Sequence, residues 1–218
     1  MASALDIAPA TRRRPTPAKQ LRGQRTRGLL LDVGLRLIED RDYDQFGVAD
    51  IVAAAGSSTG AFYHHFADKD AYITAVVDAV IERLWQRFEA EFGAGVLAPL
   101  PTAALLGRAV EFIRDIMRDS QGLIRTTFRK SLDDPEAWAP VRAFGRAYQA
   151  RIAELLAARA GDLGRADWQD GFRYGMQMVY ATLFNAIVNR PGPLAIEDPA
   201  MVDELTRMLT AYLRVRAD

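Results

Sequence analysis

Residues 47–70, GVADIVAAAGSSTGAFYHHFADKD, decide the fold. Val48, Ile51, Val52 and Ala55 recur at helical spacing and make one short apolar stripe. Gly56-Ser57-Ser58 interrupts it, and the Ser58 hydroxyl suits the cap of a second short helix running through Tyr63 and His64. Phe62 and Phe66 can hold this second helix to the first, which leaves Thr59, Ala61, Tyr63, His64 and His65 for the outer face. Two short helices joined by a tight turn, with a third packed before them, form a helix-turn-helix. The major groove of B-DNA admits one helix, so the second must be short, capped and exposed at its N-terminal end.

Outward from this segment the chain reads as helix after helix. On the N-terminal side, Leu30, Val33, Leu37 and Ile38 follow the helical period from about Gln24, up to a polar break at 39–44. Before them, Pro9, Pro15 and Pro17 punctuate a stretch without periodicity. Arg12, Arg13, Arg14, Lys19 and Arg22 make 1–23 a flexible basic arm, either an attachment to nucleic acid or a solvated tail. On the C-terminal side, Asp68 can cap a long helix carrying Ile73, Val76, Val77, Val80, Ile81, Leu84 and Phe88. Gly93, Gly95, Pro99 and Pro101 end it, and Leu105, Leu106, Ala109, Val110, Phe112, Ile113 and Ile116 mark the next. A shorter helix at 123–131 follows, and Asp134-Pro135 starts one expected to reach about Ala160. Trp168, Phe172, Met176, Val179, Leu183 and Ile187 repeat at threes and fours, and Asp198-Pro199 opens a last helix with Val202, Leu205, Leu209 and Leu213. No segment shows two-residue alternation. The expectation is an all-α chain of about nine helices, with a three-helix unit at 24–84 (helix-turn-helix 47–66) and a larger helical unit at 85–218.

Composition narrows the function. Half the residues are hydrophobic, enough for a sizeable core, and 28 Lys and Arg balance 28 Asp and Glu, so net charge points to no partner. There is no cysteine, which excludes disulfides and thiolate metal sites. No apolar run reaches the roughly 18 residues of a membrane span, and no apolar segment follows the Arg12–Arg14 run as an export signal requires, so a cytoplasmic protein without a membrane partner is expected. His64 and His65 are the two histidines, and adjacent helix positions point about 100° apart, so no metal site and no cofactor are expected. Gly56-Ser57-Ser58-Thr59-Gly60 matches the G-x-S-x-G elbow of serine hydrolases, but a helical stripe precedes it and no histidine follows His65. No nucleophile–base pair exists, and an enzyme is not expected.

The segment 47–70 resembles the tetracycline-repressor (TetR) family, with Ile51, Ala55, Gly56, Ser58, Gly60, Tyr63, Phe66 and Lys69 at the family's spacing. Leu30, Leu31, Leu37 and Ile38 stand where that family places the apolar pairs of its first helix. Elsewhere the chain is similar to the family in length and helix plan. The resemblance implies a DNA-binding set of Gly47, Val48, Thr59, Gly60, Ala61, Tyr63, His64, His65 and Lys69, with Tyr63 and Lys69 on phosphates. Four departures bear on the target sequence. Gly47 replaces a threonine that caps and reaches a phosphate, Ser57 replaces an aliphatic residue, Ala61 replaces a threonine, and Asp42 stands where glycine usually ends the first helix.

The resemblance also implies a homodimer through the last two helices, where Gly171, Gly175, Ala181 and Ala186 would permit close approach. Pairing suits the physics as well, since a two-fold dimer presents two recognition helices about 34–36 Å apart on a palindromic double-stranded DNA operator. The aromatic and methionine content of the middle helices suggests a small, largely apolar or aromatic ligand lined by Trp85, Phe88, Phe112, Phe128, Tyr148, Phe172 and Met176. Wedging near residues 85–92 would tilt the helix that leaves the DNA module and release the operator. Alternatives are an activator of the same fold, a helical enzyme acting on an apolar substrate, and a helical carrier.

Overall fold

The computed structural model describes residues 17–41, 43–93 and 100–216. Among them the chain forms nine α-helices and no sheet: α1 Pro17–Asp40, α2 Val48–Ala54, α3 Thr59–His65, α4 Lys69–Phe92, α5 Thr102–Asp119, α6 Gln121–Ser131, α7 Ala139–Ala157, α8 Trp168–Val188 and α9 Ala200–Leu213. No described helix is long and apolar enough to cross a membrane. The basic run Arg12, Arg13 and Arg14 lies outside the described residues, as does Asp42.

Two expected boundaries move. α1 begins at Pro17, so the later part of the expected arm is helical. Proline suits a first helical position because its missing N–H needs no partner there. Periodicity missed this start because Leu21, Arg22, Gln24 and Arg25 are exposed and lay down no buried stripe. The helix expected from Pro135 divides into a 3-10 turn, Pro135–Trp138, and then α7. Asp134 does cap the turn, its carboxylate accepting from Glu136 N–H at 3.1 Å. Pro140 sets the division, because within one continuous helix its ring would clash with the carbonyl of Glu136 and leave that carbonyl without a donor.

Two apolar clusters form the core. In the N-terminal cluster, Leu30, Ile38, Ile51, Phe62, Phe66, Tyr72, Ile73 and Val76 close α1–α3 onto the first half of α4, and Leu123 of α6 joins them. The second cluster gathers α5, α7, α8 and α9 around Phe88, Phe112, Tyr148, Phe172 and Leu209. Ile81 and Leu84 of α4 touch both clusters, so the expected division at 84/85 falls inside a continuous helix about 36 Å long. α4 is thereby a rigid strut between the units. Its seat on α1 is tight: the Tyr72 hydroxyl donates to the Leu30 carbonyl at 2.6 Å, and a Cβ on Gly34 would lie 2.3 Å from that hydroxyl.

Candidate nucleic-acid interface and ligand cavity

α2, α3 and the turn between them are set by local chemistry. Ala55 ends α2 and Gly56 takes a left-handed conformation, φ +56°. Gly56 N–H then bonds the Ala53 carbonyl at 3.2 Å and Ser57 N–H the Val52 carbonyl at 2.9 Å. This is a Schellman turn, for which glycine is the favoured residue. Ser58 then caps α3 as its sequence implied, its Oγ accepting from Ala61 N–H at 3.2 Å. Gly47 caps α2 without a side chain, and half a capping box remains: Gly47 N–H donates to Asp50 Oδ2 at 2.8 Å. Val48 is half-buried in the first turn of α2.

α3 is pinned from beneath. Phe62 is wholly buried, with ring centres 5.4 Å from Phe66 and 5.3 Å from Tyr72. On the other side Thr59, Gly60, Tyr63 and His64 are exposed, Tyr63 by 55%, and Ala61 is half-buried. An aromatic side chain so exposed on a helix anchored by its neighbour offers its hydroxyl to a partner rather than to the core.

Two expected DNA contacts are placed differently. The Lys69 ammonium turns inward, donating to the carbonyls of Tyr43 and of Phe46, the latter at 2.6 Å. It also lies 3.8 Å from the Tyr43 ring centre and 4.4 Å from that of Phe46. Burial lowers its pKa against the opposing pull of Asp44, Asp70 and Asp50. The expected phosphate ligand is thus a cation that ties the 43–46 loop to the start of α4, since two open carbonyls there outcompete solvent for the ammonium. His65 is half-buried, its Cε1 about 3.8 Å from the position of a Cβ on Gly23 of α1. Burial, helped by His64 and Arg27, lowers the His65 pKa. Arg27 of α1 stands beside the motif, its guanidinium 5.6 Å from the Phe66 ring centre.

A cavity of about 1350 Å³ opens among α4, α5, α6, α7 and α8. Of the expected ligand residues it is lined by Phe128. Phe88, Phe112, Tyr148, Phe172 and Met176 instead fill closed core, all 2% exposed or less. Phe112 stacks on Tyr148 at 5.5 Å, and the Tyr148 hydroxyl is satisfied by the Ala109 carbonyl at 2.8 Å. Trp85 stands one layer behind the wall, edge-on to Phe144 at 4.8 Å. The wall itself is made by Ile81, Leu84, Met117, Trp138, Phe144 and Phe184. Most of these sit at the margins of their helices' apolar stripes, so they pack on one side and leave the other free. The centre of a stripe goes into the core.

α6 joins this cavity to the N-terminal helical unit at both ends. At its start, Gly122 meets α1 so closely that a Cβ would lie 2.2 Å from the Ile38 carbonyl oxygen, and Gly122 N–H donates to Glu39 Oε2 at 2.9 Å. At its end, Lys130 pairs with Asp70 at 2.8 Å, and Asp70 accepts from the Tyr43 hydroxyl at 2.5 Å. Leu123, Ile124, Thr127 and Phe128 between those ends line the cavity.

Of the small residues expected at a subunit contact, Gly175 serves the chain's own packing: a Cβ there would lie 2.5 Å from Leu209 Cδ1 of α9. Gly171 and Ala186 are buried, and Ala181 is exposed. The exposed stripe of α8 consists of Tyr174, Met178, Ala181, Asn185 and Val188, at alternating spacings of four and three.

Comparison with known proteins agrees with this geometry. The family model described as "Bacterial regulatory proteins, tetR family" matches residues 30–76, and "Tetracyclin repressor-like, C-terminal domain" matches residues 101–213. The second match extends the resemblance beyond the length and helix plan expected of the larger unit. The chain is similar to the uncharacterized HTH-type transcriptional regulator YwcC of Bacillus subtilis, 41% identical over 27% of this chain and 26% of the relative. It is also similar to the transcriptional regulator AcuR of Cereibacter sphaeroides, 30% identical over 46% and 42%. The HTH-type transcriptional repressor KstR2 of Rhodococcus jostii is 28% identical over 45% and 49%. The chain thus spans between a quarter and a half of the length of these relatives. In fold it is similar to a TetR-family transcriptional regulator from Mesorhizobium loti, with a TM-score of 0.72 and 16% identity over 88% of this chain and 97% of that one. A regulatory protein TetR from Rhodobacter sphaeroides gives 0.61 and 23% over 86% and 98%. With a helix-turn-helix whose outer face is exposed and family models matched over both units, the chain belongs to the tetR family of bacterial regulatory proteins.

Proposed function

We propose that this regulator is a cytoplasmic repressor that grips a palindromic operator as a homodimer and lets go when a largely apolar ligand fills the cavity. The observation that supports this reading is that one pair of helices both braces the helix-turn-helix and lines the cavity. α4 supports α3 through Tyr72 and α6 abuts α1 through Gly122, while Val80 and Ile81 of α4 and Ile124 of α6 line the cavity. A ligand pressing between α4 and α6 therefore pushes on the base of the DNA module. It acts at the middle of α4, nearer the recognition helix than the wedge expected around residues 85–92.

On DNA, Thr59, Gly60, Ala61 and His64 face base edges and Tyr63 a phosphate, with Gly47 and Val48 at the backbone. Lys69 and His65 act from beneath. The exposed stripe of α8, with α9 beside it, meets the same pair of a second subunit across a two-fold axis. Tyr174 at 53% and Met178 at 38% exposure supply the apolar surface that such a contact needs.

Fluorescence anisotropy with the protein's own upstream DNA tests the reading. Binding is expected to fall about 5–150-fold as an effector saturates, the coupling of about 1–3 kcal/mol ordinary for such switches. Met178→Glu is expected to yield monomers that no longer hold the fragment. Tight binding by a monomer, or indifference to every duplex at low salt, defeats the proposal.

A further inference from the structure

We infer that the cavity takes an amphipathic anion, an apolar body with a carboxylate or phosphate head held at Arg146. This rests on the reading of the cavity as the effector site and adds the chemical class of the effector. The inner wall is apolar, with Ile113, Met117, Phe128, Trp138 and Phe184. One side is not. There α7 presents Arg142, Arg146 and Gln149 and α8 presents Arg173, Gln177 and Tyr180, each trio spaced by four and three so that it lies on one face of its helix. The trios belong to one slot, since a Cβ on Gly145 of α7 would lie 3.9 Å from the Tyr180 hydroxyl of α8.

Two independent observations point to a charged guest. The first is charge balance. The lining carries three arginines against one carboxylate, Asp170. Asp170 is paired with Arg173 at 3.2 Å, and Arg142 donates to the Pro135 carbonyl at 3.1 Å with Glu136 at 3.6 Å. Arg146 has no such partner among the described residues. The second is unmet hydrogen bonding. The Tyr180 hydroxyl is sealed from solvent and only loosely engaged by Gln149, without proper hydrogen-bonding geometry, and Thr127 Oγ1, in a residue only 3% exposed, is unmet. Buried polar groups are normally satisfied, and a cavity whose lining leaves two of them open suits a guest with polar atoms. A purely apolar ligand would cover these groups without bonding them. A cationic one would face the arginines.

The test is calorimetric titration of the full chain with decanoate, decyl phosphate and 1-decanol, which share one alkyl body, below their aggregation limits. Wild type is expected to bind at least one of the two anions about fivefold or more tighter than the alcohol at low salt, a margin that shrinks as salt rises. Arg146→Gln should bring the anions down to the level of the alcohol and leave the alcohol unchanged. Arg151→Gln, one turn along α7 and outside the lining, should change nothing. Which anion wins tells a carboxylate effector from a phosphorylated one. Equal binding of all three compounds, or an anion preference that survives Arg146→Gln, overturns the inference while sparing the cavity as an effector site. Absence of binding by all three, the alcohol included, overturns both.

Discussion

Gly122→Ala tests whether the junction between α6 and α1 carries force. The added methyl would stand 2.2 Å from the Ile38 carbonyl oxygen, 2.7 Å from Glu39 Cα and 2.8 Å from the Ile38 carbonyl carbon. All three are backbone atoms, so no side chain can swing aside. An ordinary contact needs about 3.5 Å, so α6 must retreat by about 1 Å. Overpacking of this kind costs about 1–3 kcal/mol. Retreat also strains the 2.9 Å bond from Gly122 N–H to the Glu39 carboxylate, and a hydrogen bond to a charged group is worth about 1.5–3 kcal/mol. Alanine returns about 1 kcal/mol through helix propensity. The net loss of about 2–4 kcal/mol corresponds to roughly 5–15 °C in a chain of this size.

Circular dichroism melts read the shift, with Gly107→Ala as the matched control. There a Cβ would meet Thr206 Cγ2 at 3.5 Å, an ordinary contact, so propensity alone acts and Tm should rise by about 1–3 °C. Under the proposed coupling, Gly122→Ala should also bind upstream DNA more weakly well below its Tm, because α1 loses its close seat on α6. A Gly122→Ala protein that melts at or above wild type would falsify the tight junction. Equal losses in both variants would trace the effect to helical glycine in general.

Other substitutions separate roles within the helix-turn-helix unit. Gly47→Thr supplies the missing cap oxygen at an extended residue, φ −120°, where a Cβ meets nothing closer than 3.8 Å, and should stabilise by about 0.5–1 kcal/mol in a chemical denaturation curve while tightening DNA binding. Tyr63→Ala should leave Tm nearly unchanged yet weaken every duplex alike, since phosphate contacts carry no sequence information; a loss confined to one base pair refutes that assignment. Lys69→Met, unlike Tyr63→Ala, should lower stability by about 1–3 kcal/mol as the Tyr43 and Phe46 carbonyls lose their donor. Lys130 and Tyr43 hold the Asp70 carboxyl below the ordinary range, so this pairing stabilises the fold above about pH 4 and is lost as pH falls through the lowered value. Asp70→Asn should therefore flatten the acid limb of a Tm-against-pH profile, and an unaltered limb refutes the contribution.

How much was legible beforehand depended on the range of the forces involved. The Ser58 and Asp68 caps, the Gly56 turn and the Phe62–Phe66 anchor were readable because each is settled by residues within a few positions of one another. The all-α plan followed from apolar periodicity, which needs no partner to be recognised. The fate of Lys69 was not readable, since the carbonyls that capture it lie 23 and 26 residues away and meet it only after α1 and α4 have packed. Nor was the cavity. Phe112 and Phe128 are equivalent as letters, and only the docking of five helices puts one in the closed core and leaves the other facing space. Local hydrogen bonding and hydrophobic period are properties of a segment, whereas a void is a property of how segments fail to fill the room between them.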